Sequence, residues 1–108
     1  MTFDEYQLFT ETTAIPPKGM VIPYYAMKLC GEAGEVAEKI AKVYRDENGI
    51  FTRTKMNELA LELGDVLWYI TRLACELDYN LSQVADLNVE NLRSRKARGA
   101  LHVSGDSR

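Results

Sequence analysis

EAGEVAEKI, residues 32–40, and ELGDVLWYI, residues 62–70, stand thirty residues apart and carry one pattern. At about 100° per helical residue, Leu29, Val36, Ile40 and Val43 fall roughly 20–80° to one side of Glu32, and Glu35 falls about 60° to the other. With Glu62 as origin, Leu59, Val66, Ile70 and Leu73 take the same angles, and Asp65 takes the position of Glu35. Each stretch therefore reads as a helix with an acid-x-x-acid strip at the edge of an apolar stripe. Packed antiparallel through those stripes, the two helices bring four carboxylates to one end of a bundle.

Signals on either side of the pair predict the remaining elements. Thr2 and Glu5 have the spacing of a capping box and open a first helix to about residue 13. Pro16-Pro17-Lys18-Gly19 is a loop, and Pro23 suits the first turn of a second helix to about residue 45. Asp46-Glu47-Asn48-Gly49 ends it. A third helix spans about 54–77. A fourth follows the weaker capping box of Asn80 and Gln83 and stops before Gly99, placed as a left-handed terminator. The pattern predicts an all-α, four-helix bundle-like single domain over residues 1–108, with a small polar tail over 100–108. Two long helices with one short helix on each side are thinly covered, so a second copy of the chain is expected to complete the core.

The 108 residues suffice for one modest core, and 46% hydrophobic with 27% charged residues fits a globular protein. A net charge of −3 argues against a nucleic-acid-coating protein, and no apolar run approaches the roughly 20 residues of a membrane span. The opening MTFDEYQ is acidic and polar, unlike a signal peptide. Cys30 and Cys75 do not make a disulfide framework and read as free thiols in a reducing cytoplasm.

Four carboxylates against an apolar wall repel one another and lose hydration. They either protonate or hold a cation, and oxygen-only ligands select Mg²⁺ or Mn²⁺. A single Glu-x-x-Glu is usually a solvated helix face; two in the same phase beside matching stripes are harder to dismiss. The only histidine, His102, lies in the tail. That disfavours a di-iron bundle, a zinc site and a Ser-His-Asp arrangement alike. Gly34 and Gly64 permit close approach of a neighbouring helix, another subunit or a ligand.

Carboxylate-held Mg²⁺ commonly serves phosphoryl chemistry, which calls for cations elsewhere. Arg93, Arg95, Lys96 and Arg98 put four charges into six residues at the end of the fourth helix. Some complement the helix dipole, and at least one can turn to grip phosphate. Trp68 either packs against a helix or a partner subunit, or stacks on a nucleobase. Tyr24 and Tyr25 invite the same two readings. Lys28 contacts phosphate or screens the acids.

Glu32-x-x-Glu35 followed by Glu62-Leu-Gly-Asp65-Val-Leu-Trp-Tyr resembles the signature of MazG-like nucleotide pyrophosphohydrolases, in the all-α NTP pyrophosphohydrolase superfamily. The resemblance extends from the first helix to the Gly-Asp-Ser-Arg ending. It implies Mg²⁺-dependent hydrolysis of a nucleoside triphosphate to monophosphate and pyrophosphate, often to clear unwanted nucleotides. It implies Glu32, Glu35, Glu62 and Asp65 as metal ligands, and a homodimer or a tetramer made of dimers. Glu35 or Glu38 is the expected base. Asn88, Leu92 and Arg95 match the family's last-helix element. Two positions depart from the pattern. Gly31 replaces the first acid of an expected pair, and Asn91 replaces a lysine, whose phosphate contact is missing or passes to Arg93 or Lys96. The rival to an enzyme is a non-catalytic helical interaction module whose basic end recruits a partner.

Overall fold

The computed structural model describes residues 1–99; the tail over 100–108, with His102 and the Gly-Asp-Ser-Arg ending, lies outside the described residues. Four helices run in the order α1 (Phe3–Glu11), α2 (Val21–Glu47), α3 (Arg53–Glu76) and α4 (Leu81–Ala97), with no strand among the described residues. The all-α expectation holds.

Local chemistry explains the helix ends. Thr2 Oγ1 accepts from the Glu5 amide and Glu5 Oε1 from the Thr2 amide, both at 3.1 Å, completing the capping box. Asn80 and Gln83 exchange the same pair of bonds at α4. Thr52 caps α3, which starts one residue earlier than its sequence suggested. The second helix runs two residues past Arg45 before Asn48 turns left-handed at φ 55°. Gly49 follows at φ 75°, where an added Cβ would lie 2.8 Å from the Tyr44 ring; only glycine fits both constraints. Gly99 is left-handed at φ 69°, as expected of a terminator.

Helix α2 packs along α3 as an antiparallel hairpin, and α3 is its only helical neighbour among the described residues. Helices α1 and α4 pack on each other and on α3. A polar junction joins these three. Thr10 is fully buried, donates to the Gln7 carbonyl at 2.7 Å and accepts from Arg72 Nη1 at 3.1 Å. Gln7 Oε1 in turn accepts from the Leu81 amide at 2.8 Å, satisfying a donor in the first turn of α4.

A single chain does not close the bundle. Its radius of gyration is 16.6 Å, against about 13 Å for a compact 100-residue domain. Tyr25, Val43, Ala74 and Leu81 are the buried apolar residues among those described, while Met27, Tyr44, Leu61 and Leu63 stand in solvent. Added Cβ atoms at Gly34 and Gly64 would meet nothing within 4 Å. No neighbouring helix of the same chain therefore presses on these glycines, which removes one of the three explanations for them.

Candidate functional site

The hairpin brings its acids together at mid-length. Glu32, Glu35 and Glu62 each offer an oxygen within 4.8 Å of the other two. Glu32 and Glu62 come from the α2–α3 seam and keep only 16% of their side-chain surface exposed, whereas Glu35 stands at the solvent edge. Asp65 is outside this trio. It points into the neighbouring cavity, whose wall it shares with Glu32.

The acids are unequally balanced. Lys39 Nζ donates to Glu62 Oε1 at 2.6 Å and holds the Glu62 carboxyl below its ordinary range. The other oxygen, Oε2, is buried and has no hydrogen-bond partner. Glu32 has a weaker counter-charge, Lys28 Nζ at 4.0 Å, and its carboxyl is pushed up, first by burial and then by Glu35 and Asp65. An orphaned carboxylate oxygen and an under-neutralised neighbour are what a hard cation satisfies, so the donor set fits a divalent metal.

Beside the acids lies an open cavity of about 360 Å³. Tyr24 and Tyr25 wall it from α2, and Trp68 and Tyr69 from α3, with Thr13, Ile15 and Pro16 completing it from the α1–α2 loop. The rings form a set: Tyr25 meets Trp68 edge-on at 6.0 Å between centroids, and Trp68 meets Tyr69 at 4.9 Å. Trp68 Nε1 donates to Thr13 Oγ1 at 2.8 Å and ties the loop to α3. Trp68 thus packs against the hairpin and also faces the cavity. Tyr25 is core at 1% exposure, and Tyr24 lines the wall.

The remaining sequence candidates are placed differently. Lys28 lies 5.9 Å from the Tyr69 ring centroid as well as near Glu32. Glu38 is exposed, pairs with Lys42 at 3.3 Å and is not in the trio. Asn88, Arg93, Arg95 and Lys96 lie along α4, and none lines the cavity. Reasoning from sequence missed Lys39, although at seven residues from Glu32 it lies only about 20° away on the same face. It also missed the wall formed by Thr13, Ile15 and Pro16, for which no periodic signal exists.

Fold and site together define an all-α protein built on a helical hairpin with a seam of carboxylates beside an aromatic cavity. A family model for the MazG nucleotide pyrophosphohydrolase domain matches residues 24–99, and the chain belongs to that family. The match spans α2, α3 and α4, the hairpin and its acids included. The chain is also similar to the Gene 37 protein of Mycobacterium phage L5, 43% identical over 114 residues with all of both chains covered. No solved structure matches.

Proposed function

We propose that this protein is a Mg²⁺-dependent nucleoside triphosphate pyrophosphohydrolase that releases a nucleoside monophosphate and pyrophosphate, clearing excess or non-canonical nucleotides. The observation that carries the reading is the convergence of Glu32, Glu35 and Glu62 within 4.8 Å beside an aromatic cavity, in a chain of this family. Glu32, Glu35 and Glu62 would hold the ion, with Asp65 completing the set from the cavity wall. Mn²⁺ meets the same ligand preferences. When bound, the ion neutralises phosphate charge and lowers the pKa of water.

The chain's own residues supply the rest. Trp68 and Tyr24 offer faces on which a base stacks. Glu35 takes the proton of the attacking water as its oxygen bonds to phosphorus and the α–β bridging P–O bond breaks. Glu35 is preferred to Glu38 because its oxygen lies in the trio and the Glu38 carboxylate is turned to Lys42. Asn88, Arg93, Arg95 and Lys96 are read as phosphate contacts. Since they do not line the aromatic cavity beside the acids, they would serve the site of an adjoining copy.

A homodimer, or a tetramer of two dimers, would cover the bare hairpin. Met27, Cys30, Gly34, Ala37, Ala41 and Tyr44 follow one another at alternating steps of three and four residues, and all are exposed. That is a helix-packing seam of mostly small residues, open at Gly34 and met at its Tyr44 end by the Phe51 ring. No helix of the described residues is long and apolar enough to cross a membrane. We place the protein in the cytoplasm, with its nucleotide substrates, and assign it no role in binding nucleic acid.

The test is incubation with a panel of nucleoside triphosphates and Mg²⁺. Monophosphate and pyrophosphate should form, and both should vanish in folded Glu32→Ala and Glu62→Ala variants. No turnover, with no effect of Mg²⁺ on the melting temperature, would favour the non-catalytic helical module. Release of inorganic phosphate alone would place cleavage elsewhere.

A further inference from the structure

Arg72, on α3, is the buried charged side chain among the described residues, with 9% of its surface exposed. No carboxylate among those residues pairs with it. Its Nη1 donates to Thr10 Oγ1 at 3.1 Å, and its Nε is buried with no hydrogen-bond partner. Taking a guanidinium out of water costs more than one bond to a neutral hydroxyl returns. An unbranched apolar side chain would occupy the same place without that cost. Stability alone therefore does not account for an arginine here.

What the arginine holds does account for it. Thr10 is fully buried near the end of α1, whose last turn has no basic residue of its own, so the guanidinium meets the negative end of that helix. The Thr10 carbonyl accepts from both the amide and the hydroxyl of Thr13, each at 3.2 Å. Thr13 Oγ1 accepts in turn from Trp68 Nε1 at 2.8 Å. Trp68 and Arg72 stand one turn apart on the same face of α3, so the bonds close a ring from α3 through the end of α1 and back to α3. Trp68, Thr13, Ile15 and Pro16, all held by this ring or carried on its loop, wall the aromatic cavity.

Resting on the proposed function, in which Trp68 offers a stacking face to the base, we infer that Arg72 is a positioning residue for the nucleotide. It acts through Thr10 and Thr13 to fix the indole and the loop wall over residues 13–16. Arg72 itself neither lines the cavity nor belongs to the carboxylate trio, so its effect falls on the base and spares the acids.

Arg72→Met tests this, because it removes the guanidinium and leaves no orphaned donor. The variant should melt no lower than the wild type. Trp68 is the only tryptophan, so intrinsic fluorescence reports on it alone. Without nucleotide, its emission should move to longer wavelength and be quenched more readily by acrylamide. KM for the nucleotide should rise about threefold or more, with kcat within about twofold of the wild type. In a Thr13→Val background, where the link to Trp68 is already cut, Arg72→Met should raise KM no further. Unchanged emission overturns the positioning role, and so does an effect on KM that adds in full to that of Thr13→Val. If neither Arg72→Met nor Arg72→Leu yields a folded chain, the arginine serves the fold and the role is likewise overturned. If the wild type hydrolyses no nucleoside triphosphate, the proposed function falls, and the fluorescence alone decides whether Arg72 holds Trp68.

Discussion

Lys39 Nζ lies 2.6 Å from one oxygen of Glu62 while the other oxygen of that carboxylate is buried without a partner. One cation thus answers half of the Glu62 carboxylate, and the trio it belongs to retains two further acids. The ammonium competes for charge with any metal the trio holds. Lys39→Met should therefore tighten Mg²⁺ binding several-fold, the effect being limited because the lysine is partly exposed. The same variant should melt lower than the wild type in EDTA, having lost the counter-charge. Calorimetric titration with Mg²⁺ and thermal melts in EDTA read the two effects. Weaker Mg²⁺ binding would mean that the lysine supports the metal rather than opposing it.

Glu32 and Glu62 are shifted in opposite directions, so acid should act on them with opposite signs. The folded Glu32 carboxyl is raised above its ordinary 4.5 by burial and by Glu35 and Asp65. The folded state therefore binds that proton more tightly, and the destabilisation from an ionised Glu32 is relieved as pH falls from the raised value toward 4.5. Glu62 is held below 4.5 by Lys39. Its stabilisation is complete above 4.5 and is lost as pH falls through its depressed value. In EDTA, Glu32→Gln should melt above the wild type at neutral pH, and the gap should close by pH 4.5. With Mg²⁺ the order at neutral pH should reverse, because the variant lacks a ligand. Melting curves from pH 7 to 4 with and without Mg²⁺ decide this.

What the sequence disclosed was local or periodic. The caps at Thr2 and Asn80 rest on side chains reaching three residues, and the stop at Asn48–Gly49 rests on backbone conformation, so residue type alone reveals them. The meeting of Glu32, Glu35 and Glu62 was readable because two helices repeat one phase at thirty residues. Phase gives direction around each axis but not the offset between helices. Asp65, the counterpart of Glu35, accordingly comes to rest in the cavity wall rather than in the trio. The bond from Trp68 to Thr13 joins residues 55 apart in sequence, one of them in an aperiodic loop. No pattern of spacing announces it, and it ties down the loop wall of the aromatic cavity, Thr13, Ile15 and Pro16.

That bond supports a prediction about substrate affinity. Thr13→Val keeps the shape of the side chain and removes the acceptor for the Trp68 indole N–H. Because Thr13 is exposed, water replaces part of the lost bond, and stability should fall by about 1 kcal/mol or less. The loop carrying Ile15 and Pro16 loses its tie to α3, so one wall of the cavity loosens. KM for the nucleotide should rise several-fold with kcat little changed, since the carboxylate trio is untouched. Equal falls in kcat and kcat/KM would instead tie the loop to the reacting phosphates.

The seam from Met27 to Tyr44 makes the proposed assembly testable at its narrowest point. Ala37 is exposed on α2 between Gly34 and Ala41, so a long charged side chain there fits the isolated chain without strain. It does not fit beneath a second helix packed on small residues. The wild type should run at two or four times its 12.2 kDa in light scattering, and Ala37→Arg should run as a monomer. The variant should also melt well below the wild type, because one chain buries so few apolar side chains by itself. If the α4 cations serve the neighbouring site, the monomer should lose hydrolysis while still binding Mg²⁺ through its own Glu32, Glu35 and Glu62. A monomeric Ala37→Arg with full activity would return every catalytic contact to a single chain.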